Sequence, residues 1–595
     1  MDSLRAGLHR RHFISTHVED IPMDTIRLVS PINRFAILQG NFSNDESDYP
    51  SKPYKLKTKL LITGLIILVS VSALSGYLIG SADYNSWKLA EPLDPIDPLP
   101  PSPSWLHVFK RAAVCTDAPH CSEIGRHILS INGSAVDATI AAMFCNGLLN
   151  QMSMGLGGPL AVGVPGELRG MWAAHKRWGK LPWSTLVKPT LEFCKYGYPI
   201  SKALYDGLES APFIKNDPHL RKKYFNSAKN KFHKSGTIVK PSEAFCNTLR
   251  IIAEKGGDEL YNGTLAVEFL EDLNRVGIFY FVRHVCIIAK AKITEPISVP
   301  LSNGDVLYTP PPPSSGAVLV NILNILSGYN FTSDSINGTD SKILTYHRII
   351  EAFKYAFAAR TKLGDLDYLD LNGFLSNITS PDYGMEVRLN INDWATSNDT
   401  AHYGATEYQK SDSGTAHISV IGSNGDAVFG AGFSTLNTGI VMNNVMDDFS
   451  SPGITNYFGL KPTPANFIAP GKRPLSSMSP SIIVDRNGNA KLVIGASGGT
   501  KIITAVALVT IRKLWFDQTI KEAVDESRIH HQISPMYINY EFGVTEDIVK
   551  GLRAKGHGMV RYRNRGSNIC ALYRNKTAIF ANADFRKGGD VAGVD

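Results

Sequence analysis

Residues 481–515, SIIVDRNGNAKLVIGASGGTKIITAVALVTIRKLW, carry three consecutive signals that decide the fold of the C-terminal third. The pair Asn487-Gly488 separates two short runs rich in β-branched residues, which is the pattern of a hairpin closed by a tight turn. The second run enters a glycine-rich turn at residues 495–500, and an apolar helix follows. A similar hairpin surrounds Asn424. These patterns predict an antiparallel sheet and place a helix N-terminus at the glycine-rich turn.

Two helices are predicted upstream of this sheet. Ser134 and Asp137 provide the start signal for a helix over residues 135–149, whose small and apolar side chains suit a buried position. Apolar residues also recur at helical spacing from Ile343 to Phe357, and the basic residues mostly fall outside that stripe. Both segments are interpreted as core helices that need no functional explanation.

The N-terminal part of the chain has the pattern of a membrane anchor. Residues 60–80 form a run of 21 residues without a charge, enough to cross about 30 Å of hydrocarbon as a helix. Lysines precede this run and acidic residues follow it. The positive-inside rule therefore predicts a cytoplasmic tail at residues 1–59 and a single-pass type II protein of the plasma membrane, with the rest of the chain outside the cell. A cleaved signal peptide, the alternative, would not have so long a polar leader.

Composition indicates a glycosylated extracellular chain on a stalk. Residues 81–104 are rich in proline and predict a stalk, so the folded part is expected from about residue 105. The 61 basic and 54 acidic residues give a net charge of +7 without a basic block, so no nucleic acid binding is expected. Seven cysteines outside the cell predict disulfides, with at least one thiol left over. Sequons for N-glycosylation occur at Asn132, Asn262, Asn330, Asn337, Asn377, Asn398 and Asn575.

The sequence predicts neither a metal nor a cofactor. Glu526, His530 and His531 lie close together in the sequence, but no further histidine or cysteine cluster completes a set of ligands. The glycine-rich segments also lack the Lys-Ser/Thr order of a phosphate-binding loop. We therefore interpret these segments as turns.

Ser497 is one candidate nucleophile, because residues 495–499 match the pattern G-x-S-x-G. Asp525, followed by His530 or His531, has the chain order of a catalytic triad. However, that pattern belongs to a sharp turn in a parallel sheet of βαβ units, whereas the strand entering this turn comes from a hairpin. A serine hydrolase is therefore kept as a minor alternative.

Thr415 is a second candidate, in residues 410–420, KSDSGTAHISV. A threonine hydroxyl needs an adjacent base, and a free α-amine on the same residue, with a pKa of about 7.7–8.0, is one such base. That amine exists only if the bond between Gly414 and Thr415 is cut, and Gly414 offers little steric hindrance to attack on its carbonyl. Otherwise Thr415 is simply the first residue of a strand. The chemistry of these residues leaves both interpretations open.

A family resemblance rests on longer segments. The chain contains, in this order, CSEIGRHILSINGSAVDATIAA, SMGLGG, VPGELRG, LTYHRIIEAFKYAFAAR, SGTAHISV, NNVMDDFSSPGITNYFG, PANFIAPGKRPLSSMSPSI, VIGASGGTKI and FRKGG. From about residue 105 to the C-terminus it thereby resembles the γ-glutamyltranspeptidases. The resemblance implies an α+β fold, the αββα sandwich of the N-terminal nucleophile hydrolases, here preceded by a single transmembrane helix. It also implies a precursor that cuts itself into a large and a small chain, which remain together as a heterodimer. Residues 105–414 are the large-chain part of the catalytic ectodomain and residues 415–595 are the small-chain part.

The resemblance further implies a γ-glutamyltransferase or glutathione hydrolase activity. Thr415 would attack the γ-glutamyl carbonyl of glutathione or its conjugates, and the acyl group would pass to water or to an amino acid. The positions that match the family's functional residues are Thr435 and Asn437 beside the nucleophile, Gly498 and Gly499 at the oxyanion hole, Ser476 and Ser477 at the donor's α-carboxylate, Asp448 at its α-ammonium, and Cys121 with Cys145 as a disulfide.

Several departures from the family pattern favour an alternative. Val445 stands where the family usually has a glutamate that helps to hold the α-ammonium. SMGLGGP passes directly to LAVGVPGELRG, so the strands that usually lie between these two segments are missing. The arginine that pairs with the donor's α-carboxylate in the family is missing with them. The loop that partly covers the site in many relatives is absent after Asn437, and residues 279–292 replace a polar, acidic stretch. The alternative is an impaired or inactive surface protein with a damaged donor-binding clamp.

Overall fold

The computed structural model describes residues 92–153, 163–275, 291–405, 407–408, 415–430, 445–453, 461–562 and 566–595, as well as residue 70. One compact unit spans Pro92–Asp595. The predicted anchor lies outside the described residues apart from Ser70, and within the described part no helix is both long and apolar enough to cross a bilayer. Gly414, Thr435 and Asn437 also lie outside the described ranges.

The strands of the described chain are numbered in chain order. They are β1 (His107–Phe109), β2 (Ala112–Thr116), β3 (Tyr198–Pro199), β4 (Phe225–Asn226), β5 (Lys231–Phe232), β6 (Ile238–Val239), β7 (Ile297–Pro300), β8 (Val306–Thr309), β9 (Glu407–Tyr408), β10 (Ile418–Ile421), β11 (Ala427–Gly430), β12 (Lys461–Pro462), β13 (Ser481–Val484), β14 (Ala490–Ser497), β15 (Ile529–His530), β16 (Ile538–Tyr540), β17 (Met559–Arg561), β18 (Asn568–Arg574), β19 (Ile579–Ala583) and β20 (Asp590–Val594).

The α-helices are numbered in the same way. They are α1 (Pro119–Ser130), α2 (Ala135–Leu149), α3 (Glu167–Trp178), α4 (Trp183–Tyr196), α5 (Lys202–Glu209), α6 (Pro218–Tyr224), α7 (Glu243–Lys255), α8 (Glu259–Asn262), α9 (Thr264–Arg275), α10 (Gly316–Ser327), α11 (Thr339–Arg360), α12 (Asn372–Ile378), α13 (Pro381–Leu389), α14 (Lys501–Leu514), α15 (Ile520–Asp525) and α16 (Glu546–Ala554).

Two antiparallel sheets form the centre of the unit. The larger has the strand order β1-β19-β18-β14-β13-β8-β7, and the smaller has the order β11-β10-β2-β20. All the pairings within both sheets are antiparallel. Strand β2, which precedes residue 414, lies between β10 and β20, which follow it. The predicted large and small chains therefore share both sheets rather than forming separate domains.

Neighbouring residues along a strand show how the layers are stacked. Val114 on β2 packs with helices α1 and α2, whereas the next residue, Cys115, packs in the core between the sheets. On β14, Ile494 packs with α10, α11 and α14, whereas Val493 faces the other sheet. This two-residue period buries both faces of each sheet. The layer order is helix, sheet, sheet, helix, as the resemblance implies.

The local sequence signals are confirmed. Strands β10 and β11 form one predicted hairpin and β13 and β14 the other. The Ser134 side chain and Asp137 form a reciprocal capping box at the start of α2, which ends at Leu149 as predicted. Helix α14 follows the glycine-rich turn, and α11 covers the second predicted core helix.

Cysteines and sequons have the expected surroundings. The disulfide implied between Cys121 and Cys145 is present, and a second disulfide joins Cys194 and Cys246. The asparagines of all seven sequons are exposed. Exposure makes each of them accessible to a glycosylating enzyme.

The proline-rich segment was predicted to be a stalk, but from Pro92 onward it lies against the folded body. We call residues 92–104 the strap. The Asp94 carboxylate is 3.0 Å from a guanidinium nitrogen of Arg561 and accepts a hydrogen bond from the Tyr540 hydroxyl at 2.9 Å. Further along, the Ser102 hydroxyl donates to the Asp525 carboxylate at 2.7 Å. Proline cannot extend a sheet. The strap is held by side-chain contacts and by single backbone hydrogen bonds, such as the one from the N–H of Glu546 to the carbonyl oxygen of Pro95 at 2.8 Å.

Candidate active site

A buried ion pair holds the chain at Thr415. Thr415 is half buried and lies just before β10. Its carbonyl oxygen accepts a hydrogen bond at 2.9 Å from Nζ of Lys587, and the same ammonium is 2.6 Å from Oδ2 of Asp117. Both charged side chains are buried, and Asp117 directly follows β2. Because a buried charge needs a partner, Asp117 fixes the Lys587 ammonium against the Thr415 carbonyl.

His417 is a further polar residue beside the Asp117–Lys587 pair, and it adds no charge. Its backbone N–H donates to Oδ2 of Asp117 at 3.2 Å, and its Nε2 lies 3.1 Å from the Ser419 hydroxyl. Burial, together with the nearby Lys587 charge, lowers the pKa of His417 to about 3. The ring packs so closely on Gly495 that a Cβ there would lie 2.2 Å from Cε1 of His417. Because the His417 imidazole is neutral, the positive charge next to Asp117 is that of Lys587.

The glycine-rich turn lies next to the same ammonium. Strand β14 ends at Ser497 and α14 begins at Lys501. Gly498 and Gly499 have φ angles of 127° and 63°, a region that residues with a Cβ rarely adopt. Nζ of Lys587 is 3.4 Å from the Ser497 hydroxyl. One ammonium thus connects Thr415 to a turn whose backbone N–H groups, at a helix N-terminus, suit a developing oxyanion.

The geometry does not support the alternative triad. In the described part of the chain, the Ser497 hydroxyl contacts the Asn568 amide at 3.3 Å and an ammonium group, not a histidine. Asp525 bonds to the strap, His530 bonds to helix α14, and His531 accepts from a neighbouring backbone N–H. Strand β14 also pairs antiparallel with both neighbours. The turn is therefore not a nucleophile elbow of a parallel sheet.

Asn466 joins two of the segments predicted to bind the donor. Asp448 lies in a short 3-10 turn, Val445–Asp448, in which the Val445 side chain is exposed. The buried Asn466 amide donates to the carbonyl oxygen of Asp448 at 2.7 Å and accepts from the backbone N–H of Leu475 at 2.9 Å. Leu475 immediately precedes Ser476. One side chain therefore links the acidic turn to the residue that precedes the serine pair.

A buried guanidinium supports the serine pair from behind. Nη2 of Arg360, the last residue of α11, donates to the Ser477 hydroxyl at 2.8 Å. Nε of Arg360 donates to the Ser315 hydroxyl at 3.2 Å, and that hydroxyl donates to the Ser476 carbonyl at 2.6 Å. Arg360, Ser315 and Ser477 are all buried. The ends of two core helices thus hold both serines.

The predicted site residues fall into two groups. Those in the described part of the chain are Thr415, Asp448, Ser476, Ser477, Gly498 and Gly499; those outside it are Thr435 and Asn437. Lys587 brings the nucleophile candidate and the glycine turn together, and Asn466 brings the acidic turn and the serine pair together.

Several supporting residues were missed from the sequence, among them Lys587, Arg360, Asn466 and Asp117. Lys587 lies within FRKGG, and Arg360 ends LTYHRIIEAFKYAFAAR, so two of the segments that carry the resemblance already contained them. Asp117 has no such signal, because it becomes notable only when Lys587 reaches it from the other end of the chain.

Helix α11 also carries a buried polar cluster. Nδ1 of His347 lies 2.8 Å from Nε2 of His557, and facing atoms of both rings and of Glu351 lie within 4.8 Å of one another. Nε2 of His347 donates to the carbonyl oxygen of Asn392 at 2.8 Å, so Nδ1 accepts from His557. Glu351 pairs with buried Lys354 at 3.1 Å. These atoms satisfy one another as an internal hydrogen-bond network.

Comparison with known proteins places the chain in a family. The family described as Gamma-glutamyltranspeptidase matches residues 121–160 and 158–594. Scoloptoxin SSD14 of Scolopendra dehaani is 37% identical over 549 residues, covering 83% of this chain and 94% of the relative. Glutathione hydrolase 5 proenzyme of Rattus norvegicus is 32% identical, covering 82% and 93%. The solved cephalosporin acylase from Bacillus halodurans has the same fold, with a TM-score of 0.70, 21% identity and coverage of 85% and 99%. The chain belongs to the gamma-glutamyltranspeptidase family of enzymes.

Proposed function

We propose that this protein is a self-cleaving γ-glutamyltransferase and glutathione hydrolase with Thr415 as its nucleophile. Cleavage between Gly414 and Thr415 frees the Thr415 amine. The Thr415 hydroxyl then attacks the γ-glutamyl carbonyl of glutathione or its conjugates, and the acyl group passes to water or to an amino acid. Relatives named glutathione hydrolase support this reaction class.

The buried Asp117–Lys587 pair is the observation that carries the proposal. Transferring a charged group from water to the interior costs several kcal/mol for each ion. A threonine that merely starts a strand does not need a desolvated ammonium on its carbonyl oxygen. Here Lys587 holds that carbonyl at 2.9 Å and also contacts the residue before the glycine turn. This arrangement supports a chemical role for Thr415.

The proposed chemistry has two stages, processing of the precursor and turnover of the donor. In processing, the Thr415 hydroxyl attacks the Gly414 carbonyl, the amide becomes an ester, and water hydrolyses it. In turnover, the freed amine accepts the proton of the Thr415 hydroxyl. Backbone N–H groups of Gly498 and Gly499 stabilise the oxyanion in turnover.

The donor is held by the two segments that Asn466 joins. In the proposal, Asp448 binds the donor's α-ammonium, and Ser476 and Ser477 bind its α-carboxylate. Arg360 donates to the Ser477 hydroxyl and so polarises it, which strengthens a hydrogen bond from that hydroxyl to a carboxylate. Thr435 and Asn437 are assigned to the nucleophile side of the donor.

We also propose the arrangement at the cell surface. Residues 1–59 form the cytoplasmic tail, residues 60–80 the transmembrane anchor, and residues 81–91 the part of the predicted stalk that precedes the strap. The catalytic ectodomain comprises the large-chain part up to residue 414 and the small-chain part, residues 415–595. The exposed sequons support an extracellular, glycosylated surface. Partners are the two chains themselves and small-molecule substrates, without nucleic acid.

A second candidate is an inactive or impaired surface protein. The family matches the chain in two parts that meet at residues 158–160. At this point the resemblance would place further strands, with an arginine that binds the donor's α-carboxylate. The exposed Val445 side chain cannot accept a hydrogen bond from an α-ammonium. Losing a guanidinium–carboxylate pair removes one of the stronger types of contact to a donor. Processing would then survive although turnover is lost.

Expression of the full chain in a secretory host, beside Thr415→Ala and Ser497→Ala, tests the proposal. We expect a C-terminal fragment beginning Thr-Ala-His-Ile from the wild type and from Ser497→Ala, but not from Thr415→Ala. Turnover of γ-glutamyl-p-nitroanilide then separates the two candidates. Fragment with turnover supports the enzyme, and fragment without turnover supports the inactive protein. Full-length chain in all three samples would overturn the processing step.

A further inference from the structure

A short segment after β15 bonds to the residue that follows the glycine turn. Thr500 comes directly after Gly499 and is the N-cap residue of α14. Thr500 is buried, and its hydroxyl donates to Oε1 of Gln532 at 2.7 Å. In the first turn of α14, the backbone N–H of Ile502 donates to the carbonyl oxygen of Gly499 at 2.9 Å. A hydrogen bond to Gln532 thus lies one residue from the end of the glycine turn.

The contacts of the Gln532 amide determine which of its atoms faces α14. Its Nε2 donates to the carbonyl oxygen of Ser534 at 3.0 Å, so Oε1 is the acceptor. Nε2 of His530 lies 3.0 Å from the same Oε1 and therefore carries the proton of the ring. Nδ1 of His530 then accepts from the Thr504 hydroxyl at 2.8 Å. Burial lowers the pKa of His530 to about 3, so the ring stays neutral near neutral pH.

The backbone next to Gln532 is strained. The N–H of Ser534 donates to the carbonyl oxygen of Gln532 at 2.8 Å, which closes a three-residue turn. The middle residue, Ile533, has a φ of 65°, a region that β-branched residues rarely adopt. Its N–H donates to Nδ1 of His531 at 3.0 Å. Strain of this kind persists only where the surrounding structure compensates for it, and it is concentrated at functional sites.

Gln532 also lies close to the residue that supports the serine pair. Gln532 and Thr500 line a cavity of about 10 Å³ together with Arg360, which donates to the Ser477 hydroxyl. A cavity of this size holds one water at most. The Gln532 amide therefore has little space in which to move away from Thr500.

We propose that Gln532 is a positioning residue that acts through the Thr500 hydroxyl and holds the turn at Gly498 and Gly499 in the orientation that an oxyanion requires. The inference rests on the proposed function, in which the N–H groups of this turn stabilise the developing negative charge. These groups act mainly in the transition state. A turn that is held less firmly should therefore lower kcat and leave KM nearly unchanged.

Kinetics with γ-glutamyl-p-nitroanilide test the role in turnover. Gln532→Met removes both amide groups at similar side-chain length, and Thr500→Val removes the hydroxyl at similar shape. Each variant is expected to lower kcat per processed enzyme about tenfold, with KM changed less than about twofold. Thr500→Ser, which retains the hydroxyl, should keep a kcat close to that of the wild type. Wild-type kcat in both Gln532→Met and Thr500→Val, or a raised KM without a lower kcat, would overturn the proposal.

A double variant and a matched control show whether the loss comes from this hydrogen bond. Gln532→Met combined with Thr500→Val should be no slower than the slower single variant, because both changes remove the same bond. Fully additive losses would contradict the proposal. Thr510→Val is the control and should behave like the wild type. Thr510 is a buried threonine of the same helix, and its hydroxyl has no hydrogen-bond partner within the part of the chain that the structure describes.

Hydrogen exchange tests the hold on the turn without any need for activity. It is read by mass spectrometry on peptides that cover residues 498–504 and so include the N–H of Ile502, in the uncleaved Thr415→Ala background. Gln532→Met and Thr500→Val should each exchange several times faster than this background, whereas the control should not. Unchanged exchange in both variants would overturn the proposal. A wild type without turnover would instead contradict the proposed function, and exchange would still decide whether Gln532 holds the turn.

Discussion

A single ammonium group, that of Lys587, organises much of the site at the residue scale. It contacts Asp117, the Thr415 carbonyl and the Ser497 hydroxyl, which are 470, 172 and 90 positions away in the sequence. Its removal would leave the Asp117 carboxylate buried without its cation. An unpaired buried charge costs more free energy than the absence of both charges. A variant without this ammonium should therefore lose more stability than its lost contacts alone would suggest.

Lys587→Met should therefore lower the stability of the protein by about 3–5 kcal/mol, as expected for a broken buried pair, and slow processing at least about tenfold. The measurements are chemical unfolding and a time course of fragment formation by immunoblot. Lys576→Met, which removes an exposed lysine, is the matched control and should behave like the wild type. Processing of Lys587→Met at the wild-type rate would contradict the assigned role.

Gly498→Ala should abolish turnover because the turn cannot accept a Cβ. Its φ is 127°, and the added carbon would lie 2.8 Å from Cα of Ser567 and 2.9 Å from the carbonyl oxygen of Gly566. Gly488→Ala is the matched control, since that glycine also has a positive φ, 81°, but nothing lies within 4 Å of the added carbon. The control should lose only about 1 kcal/mol of stability. Equal effects of the two variants on turnover would argue against an oxyanion role for this turn.

At the scale of elements, the groups proposed to bind the donor lie on short irregular segments. Neither the turn at Val445–Asp448 nor the segment before Ser476 belongs to a sheet. The backbone N–H of Ser450, just after the turn, donates to the carbonyl oxygen of Asn466 at 3.0 Å, and the Asn466 side chain adds one donor and one acceptor that link the turn to Leu475. Hydrogen bonds of this kind contribute about 1 kcal/mol each.

Asn466→Ala removes both contacts and should raise the KM for a γ-glutamyl donor by about tenfold, with a smaller change in kcat. Asn466→Asp keeps the acceptor for the Leu475 N–H but places a buried carboxylate against the Asp448 carbonyl oxygen, so its KM should rise at least as much as that of Asn466→Ala. Initial rates over a range of donor concentrations provide the measurement. If both variants keep the wild-type KM, the two segments do not act together on the donor.

At the scale of the whole molecule, buried neutral histidines should make the folded unit sensitive to acid. Burial lowers the pKa of His347, and burial together with the Lys354 charge lowers that of His531 and, to about 2, that of His557. The unfolded chain binds these protons near pH 6.5, whereas the folded chain does not. Stability is therefore full above about pH 6.5 and falls as the pH decreases below it.

The variant His557→Gln should remove part of this dependence, about 1.4 kcal/mol per pH unit below pH 6.5. Urea unfolding at pH 7, 6 and 5, with Thr415→Ala as the background to keep one uncleaved chain, measures the slope. His127→Gln, at an exposed histidine, should leave the slope unchanged. An unchanged slope in His557→Gln would mean that this histidine titrates normally in the folded protein.

The strap links the two predicted chains on the outside of the unit. Asp94, in the large chain, meets Arg561 and Tyr540, which belong to the small chain. Asp94→Ala should expose the strap, so limited proteolysis within residues 92–104 should become several times faster, because a paired charge is lost from a partly buried position. Asp97→Ala, at an exposed aspartate, is the control. Equal cleavage rates for the wild type and Asp94→Ala would show that this pair does not secure the strap.

Most of the local structure could be predicted from the sequence, and part of the site could as well. Both hairpins, the Ser134 capping box and the core helices follow from residues within a few positions of one another. Thr415, the glycine turn and the serine pair came from a family resemblance. The strap could not be predicted, because Asp94 finds its partners more than 440 positions away.

The sequence by itself determined the local elements, the family and the candidate nucleophile, since periodicity, turn residues and motifs act over short stretches of chain. Only the tertiary structure decided what surrounds that nucleophile. The Asp117–Lys587 pair and the Arg360 support join segments that are distant in sequence, and the Asn466 bridge joins two irregular segments. The physical reason is burial. Once the chain has folded, each buried polar group must find a partner, and the fold determines which partner it meets.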